Sequence, residues 1–592
     1  MTTRQIGRRK FLSTAGALAA LAAASAACGG SRSGPTSATA TPRSFTPPRE
    51  RSVELAREWL QVGDNGSDLK LDYLKVLIDS GLPRAATPKR IIVIGAGAAG
   101  LTAAKLLADA GHQVTVLEAN ANRTGGRIKT FRNVFSDPAL HAEAGAMRLP
   151  DAHPMVLALA DKLGLHRRQF FLSDVLPTTA TGNPPPVSYR SFTGETWSNG
   201  TAFDYRSPDV AGRSLVRVNG MTVTRAAYAA DPGAVNKTFG AHFTTSSRAA
   251  FDAAVKNTDV PTDQPIGKQI DGWAAVFNAY EYHSVHTFLE DQGWDLAEIE
   301  AVGTLENLTS RLHYGVIPTL VDHALIRPDG RYWELQGGTA ALTDALTTAL
   351  GPIIRMGRQM TRLQQTDHGV TVWTTTETGQ EDDDSIPGPV ESFDADYVIV
   401  AIPLPAVRFC SFDPPLSYPK RRAITELHQD AATKVLLEFK TRFWEQGPAG
   451  FRGGGCVSDS PNRFTYFPSH VDSSPGGVVL AAYTWSDDAL RWDSLTHSER
   501  IDRALAGMRE MFGNSVDSEF TGVGISQSWV QAKYALGEAV IPTPGQLHEH
   551  HKATRTVEGR VHFAGDHTTL KPAWIEGALE SAVRAALEVH NR

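Results

Sequence analysis

Residues 91–94 read Ile-Ile-Val-Ile and run directly into Gly95, Gly97 and Gly100, and this stretch restricts the fold more than any other. A continuous β-branched run is the pattern of a strand buried on both faces, as where helices cover a parallel sheet. The spacing gives each glycine a separate duty. Gly95 allows a tight turn, Gly97 lets a pyrophosphate approach the backbone, and Gly100 lets a helix pack closely on the strand. An Ala/Leu-rich stretch predicts that helix, Gly111 and His112 end it, and residues 114–117 predict the next strand. The helix start offers unpaired N–H groups and a positive dipole end to phosphate oxygens. Glu118 closes the second strand, placed to accept hydrogen bonds from ribose hydroxyls. Glycines alone are weak evidence, but strand, glycines, helix, strand and acid in register predict a dinucleotide-binding unit.

The residues after Glu118 narrow the choice of dinucleotide. Arg123, Gly125, Gly126 and Arg127 put two forked donors beside two glycines that let a ligand lie against backbone. This pattern resembles the flavin-containing amine oxidase family, and the resemblance implies FAD, bound without a covalent link. Near the C-terminus, Gly565-Asp566 and then Trp574-Ile575-Glu576-Gly577 resemble the family segment that returns to the flavin. The family reading also places Ala99, Ala119, Met147 and Arg148 against the cofactor. Residues 332–346 and 395–407 match as a middle portion, and the alternating GVTVWT of 369–374 reads as a sheet strand.

A chain of 592 residues exceeds one core, so roughly two or three domains are expected. The resemblance implies an α/β plus α+β protein: a discontinuous Rossmann-like FAD-binding domain, a substrate-binding domain with a mixed sheet, and a helical cap. The expected boundaries are FAD-binding segments at 51–150, 331–410 (shared with the substrate domain) and 556–592, a helical and substrate segment at 151–330, and a substrate segment at 411–555. A net charge of -6 without a long basic run argues against nucleic acid. Three cysteines, Cys28, Cys410 and Cys456, provide neither a disulfide framework nor a metal-ligand cluster, and no metal is expected. Residues 1–28 have signal-peptide order, with Arg8-Arg9 before an Ala-rich apolar run, which points to twin-arginine export. Cys28-Gly29-Gly30 also resembles a lipoprotein cleavage site, which would put the protein on a membrane surface instead of releasing it. Residues 29–50 read as a flexible Ser/Thr/Pro/Gly-rich spacer. A homodimer is the expected assembly.

Residues 141–150, HAEAGAMRLP, set a permanent cation among small and apolar residues. Arg148 either pairs with Glu143 or Asp137 or waits for an anion outside the protein. Together with residues 430–444, 462–470 and 476–492, this stretch resembles the L-amino-acid oxidase branch of the family, most closely the actinobacterial L-glutamate oxidases. The resemblance implies that Arg148 and Tyr483 hold a substrate α-carboxylate, that Trp574 walls the cavity, and that Lys434 is the catalytic lysine near the flavin. Arg311 matches an arginine that meets a side-chain carboxylate in the glutamate-oxidising relatives. Two features depart from them: Pro318 stands where they have histidine, and the link from Trp444 to Asn462 is short. The implied reaction converts an L-amino acid, O2 and water to a 2-oxo acid, ammonia and hydrogen peroxide. Alternatives are an amino-acid monooxygenase giving an amide, a primary-amine oxidase, and an exported FAD-fold protein without turnover. His548, His550 and His551 lie in a polar stretch and read as a solvated loop.

Overall fold

The strand Arg90–Ile94 is buried at every position after Arg90. Ile91 and Val93 enter one hydrophobic core while Ile92 and Ile94 enter another, which accounts for the unbroken β-branched run. In this computed structural model the described residues are 47–180, 182–203, 205–325, 330–377, 388–468 and 474–592. The export signal, Cys28 and most of the spacer lie outside them. The first helix, Arg49–Trp59, starts close to the expected boundary.

A five-stranded parallel sheet is assembled from distant parts of the chain. Its order is Ile354–Arg355, Gln113–Leu117, Arg90–Ile94, Tyr397–Val400 and Val561–Phe563. Helices Ala98–Asp109, Ala340–Leu350 and Ile575–His590 contribute to the core on one face. A four-stranded sheet, with Val370–Thr376 inside it, shares the core on the other. The discontinuous cofactor fold is thus a single sheet whose outer strands come from the middle and the end of the sequence.

A seven-stranded mixed sheet forms the second layer system, ordered Met221–Thr224, Leu215–Val218, Gly455–Ser458, Phe464–Tyr466, Gly477–Trp485, Ala432–Phe439 and Phe520–Ser528. Its first hairpin comes from residues 215–224, inside the stretch otherwise rich in helices. Ala432–Phe439 is buried at all eight positions, so Lys434 does not sit on a solvated face as an alternating strand would allow. Helices Ile266–Tyr280, Val285–Asp291, Leu296–Leu305 and Val316–Leu325 form the helical part, and the N-terminal helix packs into it through Leu55 and Ala56. No described helix is long and apolar enough to cross a membrane.

His548, His550 and His551 do not form the solvated loop expected from their polar stretch. They lie on the helix Gln546–Arg555 and all three are buried. His548 Nδ1 lies 2.7 Å from Glu281 and His551 Nε2 2.8 Å from Glu58, acids far away in sequence. Donor atoms of Glu426, Glu549 and His550 come within 4.8 Å of one another, but Arg422 already pairs with both carboxylates.

A buried charge network fixes the start of the C-terminal helix. Lys70 pairs with Glu576 at 2.6 Å and also with Glu580, and Lys571 pairs with Glu580 at 2.7 Å. Glu576 also accepts the N–H groups of Met155 and Val156 at 3.2 and 3.0 Å, capping a neighbouring helix from outside. Removing one member strands a buried charge, so Lys70→Met should destabilise the fold by about 3–5 kcal/mol. Loss of flavin on heating, followed by fluorescence, should occur at clearly lower temperature in the variant; an unchanged transition would show the network to be dispensable.

Candidate active site

One cavity of about 620 Å³ runs from the glycine turn to the seven-stranded sheet. Its wall at the first end fits a dinucleotide. The φ of Gly95 is +100°, a conformation that suits glycine, whereas a Cβ on Gly97 would meet nothing within 4 Å. The open side of Gly97 is therefore where a ligand can touch backbone. Gly100 stands behind the wall: a Cβ there would lie 1.9 Å from the Gly95 carbonyl oxygen, so its role is packing. No side chain caps the helix at Gly97, which leaves the helix start for an anion. Glu118 accepts N–H groups from Ala96 at 2.7 Å and Asn120 at 2.8 Å, and these bonds hold its carboxylate in the cavity wall.

Ala99, Ala119, Arg123, Gly125, Gly126, Arg127, Met147, Gly565, Asp566 and Ile575 all line the same cavity, as the sequence reading expects. Arg127 is not a free phosphate donor. It forms a forked pair with Asp566 and donates to the Glu538 carbonyl at 2.6 Å. Burial opposes ionisation of Asp566, but Arg127 outweighs it and holds the carboxyl below its usual range. The pair ties the second glycine-rich turn to the C-terminal return. Arg123 donates to the carbonyls of Thr124 and Gly126 at 3.1 and 2.7 Å and so stiffens that turn.

At the other end, Arg148, Lys434, Tyr483, Trp574 and Arg311 converge on the cavity. Neither Glu143 nor Asp137 is the partner of Arg148. Glu143 accepts from the Thr339 N–H at 2.7 Å and from the Thr130 hydroxyl at 2.8 Å, while Asp137 is held by Ser474 and Ala139. Arg148 donates to the Tyr466 hydroxyl at 3.1 Å and forms no ion pair among the described residues. Tyr466 can in turn donate its own proton onward. The small residues before Arg148 have a backbone reason, since a Cβ on Gly145 would lie 1.9 Å from the Arg127 carbonyl oxygen.

Lys434 and Tyr483 are direct cross-strand partners in the seven-stranded sheet. Lys434 Nζ donates to the Gly145 carbonyl at 2.6 Å and lies 4.6 Å from the centre of the Tyr483 ring. Burial drives its ammonium down to about 7, with Glu143 pulling against that shift and Arg148 adding to it. Glu143 is raised by the same burial. Tyr483 and Trp485 share one strand face with ring centres 4.0 Å apart. The Arg311 guanidinium lies 5.0 Å from the Trp485 ring centre and 3.8 Å from Asp322. Asp322 also accepts from the Trp574 indole at 3.2 Å. Pro318 occupies the first turn of Val316–Leu325, where a missing N–H is tolerated, and does not line this cavity.

Several wall residues were not singled out from sequence: Tyr466, Trp485, Trp529, His153, Asp322 and Glu538. Trp485 was reachable, since residues two apart in a strand share a face. Glu538 had no such signal, because its stretch has no periodicity.

Cys410 is distant in sequence from both glycine turns, yet it lines the cavity. Burial pushes its thiol up to about 12, and Sγ donates to the Met360 carbonyl at 3.3 Å, so it is not a thiolate nucleophile. Acid precipitation of the holoprotein should therefore leave its yellow colour in the supernatant; flavin retained in the pellet would reveal a covalent link.

Comparison with known proteins identifies the family. The family described as flavin containing amine oxidoreductase matches residues 98–590. An L-glutamate oxidase precursor of Streptomyces diastatochromogenes is 42% identical, over 92% of this chain and 99% of that protein. An L-amino-acid oxidase of Siganus canaliculatus is 31% identical over 89% of this chain and 90% of its own length. Among solved structures, a putrescine oxidase bound to putrescine superposes with a TM-score of 0.59 at 19% identity, covering 86% of this chain and all (100%) of that one. This last likeness concerns the fold alone.

Proposed function

Since this chain belongs to the flavin-containing amine oxidoreductases, we propose that it oxidises the Cα–N bond of L-amino acids, with Arg148 as the clamp for the α-carboxylate. It is an oxidoreductase of CH–NH2 donors, and FAD is its cofactor. The observation that carries the substrate reading is a forked cation in the cavity wall without an anionic partner among the described residues. A simple amine has no use for it.

The overall reaction is L-amino acid plus O2 plus water, giving a 2-oxo acid, ammonia and hydrogen peroxide. When bound, FAD supplies the acceptor for a hydride equivalent from Cα and passes two electrons to dioxygen. The chain's own residues do the rest. Arg148 grips both carboxylate oxygens, with Tyr466 bracing the guanidinium and Tyr483 offering a second hydroxyl. Fixing both oxygens fixes which face of Cα is presented, and so selects the L-enantiomer. Trp574, Phe464 and Trp485 wall the space against water. Lys434 Nζ, with its pKa near neutrality, takes up or gives back a proton beside the reacting carbon. The departing imino acid then reacts with water to give the oxo acid and ammonia.

We also infer export, on the strength of Arg8-Arg9 ahead of the apolar run. Replacing both arginines by lysine should leave the protein in the cytosol.

A charge-assisted hydrogen bond contributes roughly 1.5–3 kcal/mol, so Arg148→Ala should lower kcat/KM by about 10–150-fold or more. The decisive quantity is the preference for an L-amino acid over the amine left when its carboxylate is removed, which the variant should lose. A preserved preference, with only stability reduced, would make Arg148 structural. Lys434→Met should slow flavin reduction or reoxidation by about 10²–10⁴-fold with little change in substrate binding. Wild-type rates for both steps in stopped flow would remove Lys434 from the chemistry.

A further inference from the structure

The wall near Arg311 holds a carboxyl group that no contact among the described residues accounts for. Glu538 lines the cavity, its Oε2 is enclosed without a hydrogen-bond partner, and no ion pair engages it among the described residues. This is not a loose side chain on a wandering loop. The Glu538 N–H donates to the Asp430 carbonyl at 2.7 Å, and its own carbonyl accepts from Arg127 at 2.6 Å. Gly537 before it has φ +141°, and a Cβ there would lie 2.3 Å from the Gln429 side chain. The backbone is pinned on both sides, so the side chain leaves a fixed point in the cavity wall.

Charged and titratable groups face it from several elements. Arg311 comes from the turn Thr309–Arg311, Asp430 from the approach to Ala432–Phe439, and the paired Arg127 and Asp566 from the cofactor end. Tyr483 and Lys434 feel its charge from the sheet. Arg311 itself is unsaturated: its Nε has no partner, and Asp322 is 3.8 Å away. Arg148, Arg311, Tyr483 and Asp322 line the same cavity, so the two guanidinia look onto one shared space.

Resting on the amino-acid oxidase reading, we propose that Glu538 decides which side chain the Arg311 end accepts. With its carboxyl protonated, Glu538 donates a hydrogen bond and the site takes an acidic side chain; ionised, it offsets Arg311 and favours the neutral amide of that side chain. Burial, reinforced by Asp430, pushes the Glu538 carboxyl up to about 7, against the pull of Arg311 and Arg127. The change of preference therefore falls in the ordinary working range of pH.

L-Glutamate and L-glutamine differ at the side-chain end and share every other group. The ratio of their kcat/KM values cancels pH effects at Arg148, at Lys434 and at the substrate ammonium. In the wild-type holoenzyme that ratio should fall by about tenfold or more as pH rises from roughly 6 to roughly 8. In Glu538→Gln it should stay flat near the acid-side value. A wild-type ratio that does not change with pH overturns the proposal, as does a wild-type slope in the variant. If the variant loses flavin, the wild-type ratio decides alone. If neither amino acid is turned over, anaerobic binding of glutarate against its monoamide, read from the flavin spectrum, gives the same comparison. Failure of every L-amino acid to reduce the flavin would instead count against the oxidase reading.

Discussion

Two backbone segments touch at Gly145, and the rest of the site hangs on that approach. The N–H groups of Ala144 and Gly145 both donate to the Lys129 carbonyl, at 2.9 and 3.2 Å. On their other side, the Gly145 carbonyl takes the Lys434 ammonium and the Ala144 carbonyl takes the Trp529 indole N–H. A turn that faces the cofactor and a sheet that faces the substrate are thereby joined across about one peptide unit. A side chain at 145 would push the Arg127 carbonyl away and move Arg127, Asp566 and Arg148 together. Cofactor geometry and substrate geometry are one constraint here.

The charges in the cavity follow from that rigidity. A buried or half-buried cation without a counter-ion is unfavourable, and folds normally provide a partner. Glu143, five positions before Arg148, is instead engaged by Thr130 and Thr339, and burial raises it so that it can be neutral. Lys434 is lowered by the same low-dielectric surroundings. Burial draws both groups toward their neutral forms, whereas a guanidinium cannot give up its proton. Arg148 therefore keeps its full charge, with no ion pair among the described residues, beside groups that burial draws toward neutrality.

Much of the fold was legible because its signals are local. The run from Ile91 to Ile94, the glycines and Glu118 lie within one short stretch, and each has a duty that depends on near neighbours. Arg148, Lys434, Tyr483 and Trp574 were placed by resemblance, and the structure brings them to one cavity. What pairing does to those residues was not legible. Lys434 meets Tyr483 through strand register, and a strand buried on both faces has no alternation from which to read it. The histidines of 548–551 failed as a reading for a related reason. Their composition looks solvated, but the acids that make their burial tolerable, Glu281 and Glu58, lie hundreds of residues away. Glu538 shows the same limit, since its neighbours Arg127, Arg311, Asp430 and Asp566 come from four separate parts of the chain.

The site divides recognition between two cations whose settings differ. Arg148 is braced by a tyrosine, and in the proposed reaction it reads a group that every L-amino acid carries. Arg311 lies over Trp485 among three carboxyls, Asp322, Asp430 and Glu538, and its effective charge depends on theirs. The contacts that place Arg148 run through Gly145 and Tyr466 and are separate from those around Arg311. Pro318 lines a separate small cavity and not the main one. Of the three carboxyls around Arg311, Asp322 accepts from Trp574 and Asp430 from Tyr314, whereas Glu538 Oε2 has no partner among the described residues.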